Sequence, residues 1–275
     1  MRVRPAAVAG LFYPGDPNEL QGTVEGFLHQ ARVGEVAGQS EVDLTLAHRG
    51  LRALIVPHAG YVYSGATAAL AYLLAQALAE TVRHVIIVGP AHRVGIRGVA
   101  LPEAAGFATP LGVVPLWEAG VEIARAQPLV VESAVVHAEE HSLEVQLPFL
   151  QTVLPGADIL PLAVGWVDPS IVSCLLDALW GQDTLVVVSS DLSHYHPWSQ
   201  ARLVDAATVR QICDLDPEIG HEQACGATGV AALCLAGRER ALRPQLLGSC
   251  NSGDTAGDKS RVVGYAAFAF NDRLT

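Results

Sequence analysis

Ten histidines are spread along this 275-residue chain, and three of the segments that hold them share one arrangement, an apolar run that ends in a polar cluster. Ala53-Leu54-Ile55-Val56 runs into Pro57-His58-Ala59-Gly60-Tyr61, and Val85 to Val88 runs into Gly89-Pro90-Ala91-His92. Thr184 to Val188 runs into Ser189-Ser190-Asp191-Leu192-Ser193-His194. Neutral imidazole is the commonest biological metal ligand near neutral pH. A lone loop histidine is most often just a satisfied polar group, so the weight lies in the coincidence of three. Two histidines need a third donor. The carboxyl candidates are Asp191, Glu140, Glu144 and Asp254, and the thiol candidate is Cys250. A carboxylate would leave open positions of the kind non-haem Fe(II) oxygenases use, whereas a thiolate favours copper.

Other segments compete for chemical roles. His137-Ala138-Glu139-Glu140-His141 satisfies H-x-x-E-H, which in mid-helix would hold zinc with the glutamate as base of a metallohydrolase. So short a pattern arises easily by chance, and Glu140-His141-Ser142-Leu143-Glu144 reads better as a helix entrance capped by Ser142. Glu140 and His141 then serve as a cap cluster, or as groups that orient the metal's histidines or work as an acid/base pair. His194 is the candidate proton carrier with Asp191 fixing its tautomer; the plain alternative is a polar turn. Cys225 precedes a helical run, where a helix N-terminus lowers a thiol's pKa, and a buried structural cysteine fits equally. Gly253 and Gly257 flank Asp254 in a loop whose N–H groups suit an anion, but no nucleotide-binding glycine fingerprint accompanies it. His29, His48, His84 and His221 sit in surface-like or unpatterned contexts and are given no role.

The elements that must carry these residues alternate along the chain. Arg52 to Val56, Val85 to Val88, Ile159 to Val164, Thr184 to Val188 and Val262 to Phe270 read as strands, several apolar throughout and therefore buried on both faces. Helices are expected at Asn18 to Ala31, Ala66 to Leu78, Glu144 to Val153, Ser170 to Trp180, Ala201 to Leu215 and Ala227 to Gly237. Val33 to Gly50 reads as a surface connection or a small hairpin. The order implies one α/β domain over residues 1–275, with a largely parallel or mixed sheet flanked by helices and ligands gathering at the carboxyl ends of its strands.

Composition narrows the function classes. Hydrophobic residues make up 51% and charged residues 16%, which supports a packed interior. A net charge of −11, from 17 Lys+Arg against 28 Asp+Glu, makes nucleic acid an unfavoured partner. No apolar run reaches the roughly 18 residues of a membrane span, and the first residues lack a secretory signal, so no membrane association and a cytoplasmic location are expected. Five widely spaced cysteines without a C-x-x-C pair suit reduced thiols.

Taken together the motifs resemble the Memo family, called AmmeMemoRadiSam system protein B where it accompanies a radical SAM protein and an AMMECR-type protein. The resemblance runs nearly end to end, through Ala9-Gly10-Leu11-Phe12-Tyr13-Pro14, Pro57-His58-Ala59-Gly60-Tyr61, Gly89-Pro90-Ala91-His92, Glu140-His141-Ser142-Leu143-Glu144, Ser189-Ser190-Asp191-Leu192-Ser193-His194, Cys225-Gly226, Asn251-Ser252-Gly253-Asp254 and Val263-Gly264-Tyr265-Ala266-Ala267. It implies a fold similar to the LigB-type class III extradiol dioxygenases. It also implies that His58 and His92 are metal ligands, that His194 is an acid/base group oriented by Asp191, and that a third ligand lies near Thr255, where the animal member has a cysteine. Asp254 is the expected third ligand, with Cys250 in reserve.

The expected function is therefore a non-haem Fe(II)-dependent, dioxygenase-type oxidoreductase using O₂ and a small, aromatic-type substrate. Copper and zinc are the alternative metals. His58, His92 and Asp254 are expected to hold the ion, Glu140 and His141 to bond substrate or ligands, and Tyr61, Cys225 and Cys250 to wall the pocket. A peptide-binding or copper/iron-binding module on the same fold is the competing expectation. A functional link to radical SAM and AMMECR-type proteins is implied by the resemblance alone, and the oligomeric state is open.

Overall fold

The computed structural model describes residues 2–36 and 42–273. In chain order its strands are β1 (Val3–Arg4), β2 (Leu51–Val56), β3 (His84–Pro90), β4 (Val99–Leu101), β5 (Gly106–Thr109), β6 (Gly112–Pro115), β7 (Val130–Glu132), β8 (Asp158–Val164), β9 (Thr184–Ser189), β10 (His194–His196), β11 (Arg243–Asn251) and β12 (Val262–Asn271). The helices are α1 (Pro17–Arg32), α2 (Tyr61–Ala75), α3 (Glu118–Arg125), α4 (Ala134–Ala138), α5 (Leu147–Val153), α6 (Pro169–Leu179), α7 (Trp198–Cys213), α8 (Ala227–Glu239) and α9 (Ser252–Thr255).

The large sheet runs β10-β12-β2-β9-β3-β8-β4-β7, with β11 also paired to β12. Its centre, β2-β9-β3-β8, is parallel throughout, and the pairings β12 to β2 and β4 to β8 are antiparallel, so the sheet is mixed as expected. β9 is buried at every residue, and β2, β3 and β8 nearly so. These four read as unbroken apolar runs because parallel strands are covered on both faces. A small second sheet, β1-β5-β6, stands beside it.

Helices cover the sheet. α2 packs on β2, β11 and β12 and is covered in turn by α1, so it is buried nearly all round and shows no amphipathic stripe. α1 starts on an Asp16 cap that accepts from the N–H groups of Asn18 and Glu19, with Pro17 in the first turn. α8 reaches β3 and β9 by small residues: a Cβ on Gly229 would lie 3.0 Å from Val88. Among the described residues no helix is long and apolar enough to cross a membrane.

All five expected strands and six expected helices are found at or close to their expected positions. The Val33 to Gly50 connection lies partly outside the described residues, and its described part holds a 3-10 turn at Leu44–His48 whose Asp43 cap accepts from the Thr45 N–H. β11 was not expected. It is half exposed and contains Pro244, Gly248 and Ser249, so only its pairing with β12 makes it a strand.

The N-terminal segment is tied under the strand tips by one buried carboxylate. Glu144 accepts from the Arg4 guanidinium, from the N–H groups of Ala7 (2.8 Å) and Val8 (3.0 Å), and from the Tyr13 hydroxyl (2.6 Å). Arg4 also donates to the carbonyls of His137 (2.7 Å) and Glu140 (2.6 Å). Removing one member of such a set leaves an unmatched buried charge. Glu144→Gln is therefore expected to lower unfolding stability by about 3–5 kcal/mol in urea titration, and a loss below about 1 kcal/mol, the worth of an exposed pair, would contradict this account.

Candidate metal centre

Three adjacent parallel strands, β2, β9 and β3, end side by side, and each delivers polar groups into one cavity of about 1030 Å³. After β2 the His58 N–H donates to Asp191 Oδ1 (2.7 Å), and beyond β9 the Ser190 N–H donates to Val56 O (2.9 Å), which locks the two tips together. After β3 comes His92. Its ring meets that of His58 edge to face at 5.2 Å and stacks on that of His141 at 4.6 Å. Cys225 arrives just before α8. A Cβ on Gly226 would lie 2.8 Å from Ser189 O, so the glycine permits the approach that brings Cys225 Sγ to 3.3 Å from His58 Nε2. Donor atoms of His58, His92 and Cys225 all lie within 4.8 Å of one another, and His92, Glu140 and His141 form a second such group.

Hydrogen bonds fix the protons on both ligand-type histidines. The Ser189 hydroxyl donates to Ser142 O (2.6 Å), so it can only accept from Gln146 Nε2 (2.8 Å) and from His58 Nδ1 (2.8 Å). His58 therefore carries its proton on Nδ1 and turns the Nε2 lone pair to Cys225. Glu140 receives the N–H groups of His92 (2.6 Å) and Ser142 (2.8 Å) and pairs with His92 Nδ1 (3.0 Å). Burial works against the charge on Glu140, yet the His92 ring and these N–H groups hold its carboxyl at about 2. It is a carboxylate, so His92 Nδ1 is also a donor and Nε2 is left for a ligand.

Burial, followed by the neighbouring His92 and His141, pushes His58 well below the usual imidazole range. His141 falls to about 4 for the same leading reason, so both rings are neutral at pH 7. Burial and the nearby Asp191 push the Cys225 thiol up to about 12. A cation would reverse that preference, since metal-bound thiols lose their proton. The donor set fits a metal ion. Nitrogen at about 2.0–2.1 Å and sulfur at about 2.3 Å from one ion lie roughly 3.1–3.6 Å apart for angles of about 90–110°, and Nε2 and Sγ are 3.3 Å apart here.

His58, His92, Glu140, His141 and Cys225 are thus brought together, with His194 and Asp191 on the same cavity. Asp254 is not. Its Oδ1 accepts from Trp198 Nε1 (2.6 Å) and its Oδ2 from the Asn251 N–H (3.2 Å) in the cap of α9, facing a separate groove. Cys250 lies on that groove too, bonded to Thr67 Oγ1 (3.2 Å), because β11 and not a loop carries it. Tyr61 is turned inward, its hydroxyl donating to Val145 O (2.9 Å), and Tyr63 lines the cavity instead. Asp191 holds the His58 backbone and not the His194 ring, whose Nδ1 bonds Leu192 O (2.8 Å). Ser142 is no helix cap; its hydroxyl donates to Pro90 O (3.0 Å). His137 bonds Ala100 O (2.9 Å) and joins no ligand group among the described residues, so the H-x-x-E-H spacing builds no zinc site there. Of the two readings of Cys225, a thiol acidified by a helix terminus or a buried cysteine, burial prevails and the thiol is raised.

Sequence reasoning gave no role to His221 and passed over His196, Tyr63 and Arg261, all of which line the cavity. His196 lies two residues beyond His194, a spacing that could have flagged it. Tyr63 stands in the same segment as His58, and His221 and Arg261 arrive from distant segments with no local signal.

The Memo-like protein family matches residues 4–269. A "MEMO1 family protein" of Ignicoccus hospitalis is 38% identical over 98% of this chain and 99% of its own length. Relatives carrying the same description from Metallosphaera sedula (36% identical, 99% and 100% covered) and Nitrosopumilus maritimus (34%, 98% and 99%) span the chain equally well. A solved structure of an uncharacterized protein from Escherichia coli K12 aligns at a TM-score of 0.46 with 13% identity, over 80% of this chain and 99% of its own, too loosely to carry an argument.

Burial outweighs the N–H bonds from His58 and Ala59 at Asp191 and raises its carboxyl to about 7. Between about pH 4 and 7 the folded chain keeps a proton that the unfolded chain releases. This group therefore costs stability as pH rises through that window, and no more above it. In metal-free protein, wild type should lose stability relative to Asp191→Asn as pH goes from about 4 to 7, by about 4 kcal/mol at most. A difference that stays constant across the window would contradict the raised carboxyl.

Proposed function

This chain belongs to the Memo family, and on that premise we propose that it is a metal-dependent enzyme whose single ion sits on His58, His92 and Cys225. The ion proposed is iron(II), the co-substrate O₂, and the reaction a dioxygenase-type oxidation of a small aromatic substrate. The observation that carries the metal reading is the pair of Nδ1–H histidines whose remaining nitrogens stand with Cys225 Sγ inside one cavity. Three protein ligands leave coordination positions open, and the cavity gives room for a substrate beside them. When bound, the iron would bring substrate and O₂ together and exchange electrons with them.

The chain's own groups supply the rest. Glu140 orients His92 and fixes its tautomer, while the Ser189, Ser142 and Gln146 chain does the same for His58. His194 bonds Leu192 O through Nδ1, so Nε2 is its proton acceptor, and burial keeps the ring below the usual imidazole range and hence neutral. It is the group proposed to take a proton from a substrate hydroxyl. His141, neutral and stacked on His92, turns its buried Nδ1 toward Glu140 Oε1 (3.5 Å), and its ring is proposed to form one wall of the substrate site. The thiol in the third position favours a second reading, a copper-binding redox protein, because soft thiolate selects Cu(I).

Anaerobic titration should give one ion per chain. His58→Ala, His92→Ala and Cys225→Ala are expected to abolish tight binding, Glu140→Gln to weaken it about 10–100-fold, and Asp254→Ala to leave it unchanged. O₂ uptake by the iron-loaded protein with catechols or hydroxylated indoles supports the oxygenase; tight Cu(I) binding with no O₂ uptake supports the copper protein. No metal binding at all would sink both and leave a ligand- or peptide-binding module.

A further inference from the structure

The lip of the metal cavity holds a backbone irregularity that the proposed chemistry leaves unexplained. Tyr195 has φ +62°, in the left-handed region that aromatic residues rarely occupy, and the register of β10 on β12 slips between His194 and His196. In a regular strand His194 and His196 would face one way and Tyr195 the other. Here all three line the cavity. Strain of this kind persists where the surroundings enforce it, and it gathers at ligand clamps.

What the irregularity positions is a cation. The Tyr195 ring, 63% exposed, sits 4.9 Å from the guanidinium carbon of Arg261. Among the described residues Arg261 is the one Lys or Arg lining the cavity, and it has no ion pair. Of the three carboxylates on the same cavity none comes within ion-pairing distance of it: Asp191 accepts the His58 N–H, Asp258 is bonded by the N–H and hydroxyl of Ser260, and Glu222 forms no ion pair with it. An aromatic ring under a guanidinium restricts its motion and leaves its N–H edge to bind a planar anion in two-point fashion.

We propose that Arg261, seated on the strained Tyr195, anchors a carboxylate of the substrate, so that the substrates of this cavity are small organic acids. The proposal rests on the reading of the cavity as the substrate site, and it can be tested without the metal. The probes are 3-phenylpropionate and 3-phenylpropanamide, matched in shape and different in charge, titrated calorimetrically into the full chain stripped of metal by chelator.

Wild type is expected to bind the acid about 10-fold or more tightly than the amide, as a charge-assisted hydrogen bond supplies. The ratio should fall to about one in Arg261→Met and lie between in Arg261→Lys, which keeps the charge and loses the fork. Tyr195→Gly should lose much of the preference while melting no lower than wild type, since glycine accepts the left-handed backbone. Equal affinities in wild type, or a preference that survives Arg261→Met, would overturn the proposal. Metal titration of the same samples separates the two readings: acid preference without metal binding removes only the metal enzyme, and metal binding without Arg261-dependent preference removes only the anchor.

Discussion

The site depends on where two imidazole protons reside. Each of His58 and His92 holds its proton on Nδ1, one against a serine hydroxyl whose own hydrogen is committed elsewhere, the other against a carboxylate. Both Nε2 atoms are thereby acceptors, and a cation is the partner that three such donors, with Cys225, best accommodate. Were either tautomer reversed, an N–H would point into the cavity and repel an ion. At His58 burial reinforces the arrangement, because a ring this far from water resists protonation.

The surrounding structure keeps those bonds in place. Parallel pairing of β2, β9 and β3 brings the tips within reach of one another. Gln146 reaches from the turn before α5 to Pro57 O (3.0 Å) and Ser189. Tyr72 of α2 donates to the same Gln146 side chain (2.9 Å), so the core helix and the site share one hydrogen-bond chain. On the other side the Arg4–Glu144 set holds the segment from which Phe12 lines the cavity, and Phe12 O accepts the Tyr61 N–H (2.7 Å). Buried polar groups satisfied this fully are rigid and costly to disturb.

The framework was legible in the sequence because its strands are apolar on both faces and its tips carry histidines. The same logic, and the family resemblance with it, pointed to His58, His92 and His194, which line one cavity. Which further donor stands beside His58 and His92 was not legible. Asp254 and Cys250 look well placed along the chain, but the capping of α9 and the strand pairing of β11 turn them to another groove. Cys225 reads in the sequence as a helix-terminal or buried thiol on the pocket wall; its meeting with His58 depends on a contact between residues 167 positions apart, and on a glycine whose purpose is evident only from the backbone it passes. Tyr61 and Tyr63 show the same limit, since which of two nearby tyrosines faces a cavity depends on how α2 is rotated.

The most direct test of the central claim is X-ray absorption at the metal edge of the loaded, full-length protein. The account predicts one sulfur at about 2.3 Å together with imidazole nitrogens at about 2.0–2.1 Å. A shell of oxygen and nitrogen with no sulfur would contradict it and return the third position to a carboxylate.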